Sequence, residues 1–200
     1  MEQLQMLGQI AYVDPDIYPS PLFPPSKYYL AFKHFAKAQQ PKVAIVLGVC
    51  GGGDCLHLCL GSPDSKVIGV DITYDHPEQL EHIKERCSNF QFWQGDSREA
   101  APQIFDLHGP VDFLFIDTTH TAADTRAELK AWLPYLAEGA IVCFDDLFRE
   151  DMEDAWNEIP EPKARMDYLH DGTWPEGGGF GCHIHHRNTM IPPEGPELGN

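Results

Sequence analysis

Short apolar runs alternate with longer mixed segments along most of the chain, from about residue 42 onwards. Five runs predict strands, at residues 42–49, 66–72, 90–96, 111–117 and 140–146. Apolar runs without strict alternation are typical of strands covered on both faces, and mixed segments between them are typical of crossover helices. The pattern therefore predicts an α/β fold with a doubly wound, mostly parallel sheet.

Helix-start signals follow two of these strands. Asp54 comes after three glycines and is predicted to be the N-cap of a helix through about Leu60. Thr121, with Asp124 three residues later, resembles a capping box and predicts a helix through about Leu136. The remaining predicted elements are helices at about 26–38, 77–87 and 149–158, a glycine-rich turn at 177–179, and an antiparallel last strand at 180–186.

Three regions are expected along the chain. Residues 1–41 contain a proline-rich stretch and the first helix, and we expect them to form an arm or lid over the sheet. Residues 42–190 are expected to form the sheet domain, and residues 191–200 a disordered tail. A chain of 200 residues buries one sizeable core, so a single domain of this kind is the expected organisation.

Charge excludes some partners. Acidic residues outnumber basic ones 31 to 14, and the net charge of −17 repels nucleic acids and anionic membranes. The first residues lack the basic start and apolar core of a signal peptide, and the longest apolar run is too short to span a bilayer. We expect a cytoplasmic protein that binds neither nucleic acid nor membrane, and a homo-oligomer is left open.

The six cysteines are interpreted as reduced thiols, because a chain of this length needs no disulfide framework. Cys55 and Cys59 lie four residues apart on a predicted helix, and Cys143 falls within a predicted strand. These three are predicted to fill the core, as is Trp132. Trp93 and Trp174 fit either the core or a pocket wall.

Candidate binding residues lie where the predicted strands end, because open α/β sheets bind ligands beyond the carboxyl ends of their strands. The first strand runs into Gly48, Val49, Cys50 and three further glycines, which bring bare backbone close to a ligand. Such loops serve dinucleotides, phosphates and adenosyl cofactors alike, and some are only tight connections.

Polar groups end the next two strands. Asp71 lies about twenty residues after the loop, where a carboxylate can accept both hydroxyls of a ribose. Asp96 and Ser97 end the third strand and offer polar contacts beside an adenine. The alternative is that these residues only cap helices.

Two further strands end in carboxylates, at Asp117 and at Asp145 with Asp146. The interval of 28 residues between Asp117 and Asp145 fits one return from strand through helix to strand. Clustered carboxylate oxygens suit hard cations, so a site for Mg²⁺, Mn²⁺ or Ca²⁺ is predicted here. The alternative is that the three acids cap helices or face solvent.

The order of these motifs, from the glycine loop through Asp71 and GDS at 95–97 to FID at 115–117 and FDD at 144–146, resembles class I S-adenosylmethionine-dependent methyltransferases over about residues 26–186. Residues 115–146 most resemble small-molecule O-methyltransferases, of the catechol type and of the family grouped with cephalosporin hydroxylase and macrolide-sugar methyltransferases. The resemblance implies a Rossmann-like fold and S-adenosylmethionine as cofactor.

The resemblance also implies roles for particular residues. The loop residues Gly48, Cys50, Gly51 and Gly53 would approach the methionyl portion of the cofactor, Asp71 its ribose, Ile72 an adenine face, and Asp96 with Ser97 the adenine edge. The corresponding carboxylates in the resembling families hold a divalent cation. One departure is Val46, which stands where an acid commonly holds the amino-acid end of the cofactor, so a backbone or neighbouring group would have to replace it.

His120 is the candidate general base. It lies three residues after Asp117, at an offset where the resembling families carry a lysine or a histidine. Imidazole titrates near neutrality and can take a proton from a hydroxyl that a metal has acidified. The alternative is a structural or exposed histidine.

A second cluster of metal-ligand types contains Cys182, His183, His185 and His186. Alternation along a strand places the first two histidine positions, 183 and 185, on one face and the other two residues on the opposite face, so the four cannot converge on one ion. An exposed edge-strand face is the favoured interpretation, and a zinc site is the alternative.

The predicted function is methyl transfer from S-adenosylmethionine to a hydroxyl of a small molecule, assisted by a divalent cation, most simply Mg²⁺. The alternatives are a metal-independent methyltransferase and a non-catalytic protein that binds an adenosyl cofactor. A nicotinamide-dependent oxidoreductase is disfavoured, because the loop lacks a clean G-x-G-x-x-G and FDD has no role there.

Overall fold

The computed structural model describes residues 27–149, 151–169 and 178–187. The predicted proline-rich arm before residue 27, Trp174 and the predicted disordered tail at 191–200 lie outside the described residues.

Helices and strands alternate along the described chain. The helices are α1 (Lys27–Gln39), α2 (Gly53–Gly61), α3 (Pro77–Arg86), α4 (Ser97–His108), α5 (Ala122–Trp132) and α6 (Met152–Glu158). The strands are β1 (Val43–Leu47), β2 (Lys66–Asp71), β3 (Phe90–Gln94), β4 (Val111–Ile116), β5 (Leu136–Phe144), β6 (Lys163–Arg165) and β7 (Gly181–Ile184). Short 3₁₀ turns lie at Leu133–Tyr135 and Asp167–Leu169.

The strands form one seven-stranded sheet in the order β3-β2-β1-β4-β5-β7-β6. The first five strands of this order pair in parallel, β7 pairs antiparallel with β5, and β6 pairs antiparallel with β7. The predicted doubly wound, mostly parallel sheet is confirmed. The predicted antiparallel last strand is confirmed as β7, and β6 pairs antiparallel with it at the edge of the sheet.

Both faces of the sheet are covered, as the continuous apolar runs predict. All five residues of β1 are buried. Ala44 and Val46 face the core under α1, α2 and α3. The alternate residues Val43, Ile45 and Leu47 face the core under α4, α5 and α6. This alternation within an unbroken apolar run is what a central parallel strand requires.

Several helix boundaries differ from prediction. The predicted N-cap at Asp54 is wrong: Gly52 caps α2 in a left-handed conformation, with a φ of 72°, and Asp54 lies inside the first turn. The Thr121 cap is confirmed, because its hydroxyl accepts a hydrogen bond from the Asp124 amide at 3.2 Å. The α5 helix ends at Trp132, before Pro134 and earlier than the predicted Leu136, and β5 consequently begins earlier than predicted.

Strand β6 was not predicted, and it changes the surroundings of the histidine cluster. Because β7 lies between β5 and β6, it is not an edge strand. His183 and His185 are buried, so the expected exposed edge-strand face is wrong. Among the described residues, no group of three or more His, Cys, Asp or Glu side chains could hold a metal ion. The four residues of the zinc alternative are all described, so this finding disfavours a zinc site there.

Core predictions for single residues hold. Cys55, Cys59 and Cys143 are buried, and Trp132 is fully buried. None of the six cysteines, all of which lie in described segments, forms a disulfide. Trp93 is partly buried and packs against the core on the α4–α6 side.

No described helix has the length and apolar character needed to cross a membrane.

Candidate functional site

The predicted site residues follow the carboxyl ends of β1, β2, β3, β4 and β5. Strand order reverses between β1, which is followed outward by β2 and β3, and β4, which is followed by β5. Ligands of open α/β sheets bind at such a switch point. The loops after β1 and β4 are therefore the centre of the candidate site.

The glycine loop after β1 is shaped partly by packing within the protein. Gly48 has a φ of +83°, and a side chain there would collide with the Asp117 carbonyl, so the loop lies directly against the end of β4. Gly53 leaves room for the Tyr29 ring of α1. A side chain at Gly51 would meet no described atom within 4 Å, so this glycine borders open space on the loop.

Asp71 connects the end of β2 to this loop. Its Oδ2 accepts a hydrogen bond from the Val49 amide at 2.8 Å, and its Oδ1 accepts a longer one from the Thr73 amide at 3.4 Å. The next residue, Ile72, is 67% exposed. An anionic acceptor and an apolar surface thus lie side by side at the end of β2.

Tyr74 adds a polar group that the sequence analysis missed. Its hydroxyl is buried and has no hydrogen-bond partner among the described residues. It lies 3.8 Å from where a side chain at Gly52 would begin, and burial raises its pKa above the usual value. A buried hydroxyl without a partner beside a glycine loop is suited to a bound ligand. Nothing in the sequence distinguishes Tyr74 from a core aromatic.

Asp96 and Ser97 are both engaged by protein groups. The Asp96 side chain caps α4 by accepting from the Arg98 amide at 2.8 Å, and it pairs with the Arg98 guanidinium at 2.7 Å. These contacts lower the pKa of Asp96 to about 2. The Ser97 hydroxyl donates to Glu128 at 2.6 Å. The role of both residues in binding adenine stays a prediction.

Three carboxylates form an acidic centre beside the glycine loop. The side chains of Asp117 and Asp145 lie within hydrogen-bonding reach of each other, and burial, Asp145 and Asp54 together raise the pKa of Asp117 well above its usual value. Burial raises the pKa of Asp54 to about 7. The sequence analysis missed Asp54 in this role because it assigned the residue to a cap.

Asp146 points to a different set of partners. Its Oδ1 accepts from the Gly178 amide at 2.5 Å, and its Oδ2 accepts from Arg149 Nε at 2.8 Å. His120 Nδ1 lies 3.1 Å from the same Oδ2. The three predicted metal ligands thus differ in their protein contacts: Asp117 lies against Asp145, whereas Asp146 contacts Arg149 and His120.

The donor chemistry of the Asp117–Asp145 pair fits a hard divalent cation. Mg²⁺ commonly uses one or two carboxylates and keeps several waters, so two adjacent aspartates suffice. A cation would also offset the burial and the carboxylate repulsion that together raise the pKa of Asp117. Each Asp146 oxygen accepts one hydrogen bond from the protein and keeps a second lone pair, so the role of Asp146 as a third ligand stays a prediction.

His120 lies between these carboxylates. Its Nδ1 is 3.7 Å from Asp117 Oδ1 and closer to Asp146, as given above. Burial lowers the pKa of His120, Asp146 opposes this effect, and Arg149 adds to it. With Nδ1 donating to Asp146, a neutral imidazole has its lone pair on Nε2, where it can accept a proton.

Backbone strain is concentrated in these loops. Four described residues other than glycine have a positive φ, and three of them follow β1, β4 and β5: Cys50 at 42°, His120 at 56° and Asp146 at 53°. Residues in this conformation persist only where their surroundings hold them, and they are enriched at functional sites. No pattern in the sequence indicates this strain.

Solved structures with the same fold align with nearly the whole of this chain. The O-methyltransferase TomG from Streptomyces achromogenes, involved in tomaymycin synthesis and solved with SAM, aligns with a TM-score of 0.67 and 14% identity, covering 92% of this chain and 96% of TomG. An O-methyltransferase from Bacillus cereus in complex with SAH aligns with a TM-score of 0.63 and 17% identity, covering 92% and 89%.

A third structure, cofactor-bound Rv0187 from MTB, aligns with a TM-score of 0.66 and 16% identity, covering 92% of this chain and 95% of that protein. No curated protein matches the chain in sequence. At these identities the solved structures establish the fold, which is the Rossmann-like fold of class I methyltransferases.

The sheet topology and the loops at its switch point thus define a class I methyltransferase. A family model described as a methyltransferase domain matches residues 45–147, and the chain belongs to that family. The match begins within β1 and ends just after Asp146, so it includes every site residue predicted from the sequence. The predicted resemblance to S-adenosylmethionine-dependent methyltransferases, and the prediction of an enzyme, are confirmed.

Proposed function

We propose that this protein transfers a methyl group from S-adenosylmethionine to a hydroxyl oxygen of a small molecule. The observation that carries the proposal is the His120–Asp146 pair, whose Nδ1 and Oδ2 lie 3.1 Å apart beside the glycine loop. When bound, S-adenosylmethionine supplies a sulfonium methyl group, which the acceptor oxygen takes up as the carbon–sulfur bond breaks to leave S-adenosylhomocysteine.

The loops after β1, β2 and β3 are assigned to binding this methyl donor. Gly48, Cys50, Gly51 and Gly53 bring backbone to its methionyl portion, with Gly51 bordering the open space. Asp71 accepts from the ribose, Ile72 lies under the adenine, and Asp96 with Ser97 lies at the adenine edge. Val46 carries no acid, and we assign Asp54, the residue after Gly53, to the amino group in its place.

His120 is assigned as the general base. Its lowered pKa keeps the imidazole neutral at physiological pH, and Asp146 orients it through Nδ1. Nε2 can then accept the acceptor's hydroxyl proton as the oxygen attacks the methyl carbon. Arg149 balances the charge of Asp146, which limits the extent to which that carboxylate raises the basicity of His120.

Asp117 and Asp145 are assigned to a divalent cation, most simply Mg²⁺, which would lower the pKa of the acceptor hydroxyl. The support is the chemistry of two adjacent, partly buried carboxylates whose mutual repulsion a cation would offset. Asp146 is assigned to orienting His120.

The deciding experiment is a methyl-transfer screen with S-adenosylmethionine against catechols, sugars and polyketide alcohols. We expect formation of S-adenosylhomocysteine with at least one acceptor, and we expect His120→Ala to lower kcat by about 10²- to 10⁴-fold with little change in affinity for the methyl donor. His34→Ala, at an exposed histidine of α1, is the matched control. Wild-type kcat in His120→Ala would contradict the assigned base.

The same screen, run with and without added Mg²⁺ after treatment with EDTA, tests the cation. Asp145→Asn should weaken the response to Mg²⁺ and reduce turnover, while affinity for S-adenosylhomocysteine changes little. Full activity in EDTA, with unchanged turnover in Asp145→Asn, would support the metal-independent alternative for the same reaction.

A further inference from the structure

Glu128 is a buried carboxylate for which the proposed reaction has no role. It lies on α5 and is 4% exposed. One of its oxygens accepts from the Ser97 hydroxyl at 2.6 Å, and the other accepts from the Thr118 hydroxyl at 2.8 Å. Burial raises the pKa of Glu128, and the two hydroxyls oppose that shift. A buried carboxylate is costly, so its two hydrogen bonds are needed to hold it in place.

The two hydroxyls belong to different functional loops. Ser97 begins α4, next to Asp96, in the segment assigned to the adenine edge. Thr118 immediately follows Asp117 and lies two residues before His120. Glu128 thus connects the loop that follows β3 to the loop that follows β4.

The sheet does not link these two loops directly. In the strand order, β2 and β1 lie between β3 and β4, so no backbone ladder joins the ends of β3 and β4. Helix α5 supplies the connection instead, through Glu128, and it contacts Ser97 a second time. One turn beyond Glu128, the indole of Trp132 donates to the Ser97 carbonyl at 3.0 Å, and this tryptophan is fully buried.

We propose that Glu128 is a positioning residue that fixes the adenine-side loop and the general-base loop at the spacing required for in-line methyl transfer. This inference rests on the proposed function. The methyl donor is held at one loop and the proton is accepted at the other, so a change in their separation misaligns the sulfonium methyl and the acceptor oxygen. Misplacement by about 1 Å is enough to lower a rate by about 100-fold.

The role predicts a division of effects between the two partners of Glu128. Ser97→Ala should mainly weaken binding of S-adenosylhomocysteine, because it releases the adenine-side loop. Thr118→Val, which keeps the shape of the side chain, should mainly lower kcat. Glu128→Ala should do both, with a fall in kcat of about 10- to 100-fold.

The conservative variant separates position from charge. In Glu128→Gln, the amide can accept from one hydroxyl and donate to the oxygen of the other, because a hydroxyl does both. We therefore expect Glu128→Gln to recover most of the kcat and affinity lost in Glu128→Ala. Glu158→Ala, which removes an exposed carboxylate paired with Arg126, is the matched control and should leave both quantities unchanged.

The experiment combines calorimetric titration of S-adenosylhomocysteine, steady-state kinetics and thermal unfolding for these variants and for the double variants with Glu128→Ala. We expect Ser97→Ala and Thr118→Val to add little in the Glu128→Ala background, because the shared connection is already absent. Additive effects, or a lowered melting temperature with wild-type kcat and affinity in the folded variant, would show a merely structural residue and overturn the inference.

The wild-type measurements distinguish this inference from the function on which it rests. A wild-type protein that neither binds S-adenosylhomocysteine nor transfers a methyl group overturns the proposed function, and the positioning role with it. A wild-type protein that does both, together with unchanged Ser97→Ala and Thr118→Val variants, overturns the positioning role alone.

Discussion

At the residue scale, the candidate site depends on side chains that serve the protein and its ligand together. Asp71 accepts a hydrogen bond from the Val49 amide at 2.8 Å, and it is also the residue proposed to accept from the ribose. Asp146 likewise joins Arg149, Gly178 and His120. Such shared contacts place each group accurately before a ligand arrives, which is what orientation of a reacting pair requires.

Asp71→Ala is expected to weaken affinity for S-adenosylhomocysteine by about 10- to 100-fold. Hydrogen bonds to a charged group contribute about 1.5–3 kcal/mol each, and about 1.4 kcal/mol corresponds to a factor of ten. Calorimetric titration measures the change, and thermal unfolding shows whether the loop itself has lost stability. Asp64→Ala, at an exposed aspartate between α2 and β2, is the control. Unaltered affinity in Asp71→Ala would remove its ribose role.

At the element scale, α4 depends on a cap that is also a candidate ligand contact. Asp96→Ala should lower the free energy of unfolding by about 1 kcal/mol, because α4 loses its N-cap. Asp96→Ser should retain the part of that stability that comes from capping and lose the part that comes from the ion pair with Arg98. Urea unfolding at neutral pH measures both variants. Equal losses in the two variants would show that the charge, and not the cap, is responsible.

The contribution of Asp96 to the free energy of unfolding should also depend on pH, and it should fall as the pH is lowered. Its pKa is about 2 in the folded protein and about 3.9 in an unfolded chain. A lowered pKa stabilises the folded state fully above about pH 4, and the effect is lost as the pH falls towards 2. The difference in unfolding free energy between wild type and Asp96→Ala should therefore shrink over that interval. A difference in unfolding free energy that stays constant between pH 4 and pH 2 would contradict a stabilising role for the ionised carboxylate.

Elements with an apolar period could be predicted from sequence, and those set by tertiary contacts could not. The five parallel strands are long apolar runs, and Thr121 with Asp124 gives a local cap signal for α5. Helix α4 was missed, although Asp96 and Glu99 have the spacing of a capping box. Strand β6 is three residues long and exists through its pairing with β7, which no local pattern encodes.

The same distinction applies to the site. Strand ends located Asp71, Asp117, His120, Asp145 and Asp146, because the topology brings the carboxyl ends of parallel strands to one edge. The sequence could not show that Asp146 turns to Arg149, since that contact depends on a loop conformation with a φ of 53°. Glu128 was missed for a related reason, because its partners Ser97 and Thr118 meet only after α4 and α5 pack together.

At the scale of the whole molecule, binding of the methyl donor should be visible as stability. A ligand at about 100 times its Kd stabilises the folded state by about 2.7 kcal/mol. For a chain of this size about 1 kcal/mol raises the melting temperature by about 2–4 °C. Saturating S-adenosylhomocysteine should therefore raise the melting temperature by about 5–11 °C. NAD at the same concentration is the control, and an equal shift with NAD would point to a nicotinamide cofactor.

The position of β7 inside the sheet constrains the order in which a growing polypeptide can assemble. A nascent chain that has reached Arg165 already contains β5 and β6, but these two strands are not neighbours in the finished sheet. The outer edge of β5 stays open until Gly181–Ile184 emerge from the ribosome. The Asp146 carboxylate depends on the same late stretch, because Gly178 donates to it. The loops after β1 and β2 can therefore form early in synthesis, whereas the surroundings of His120 are completed last.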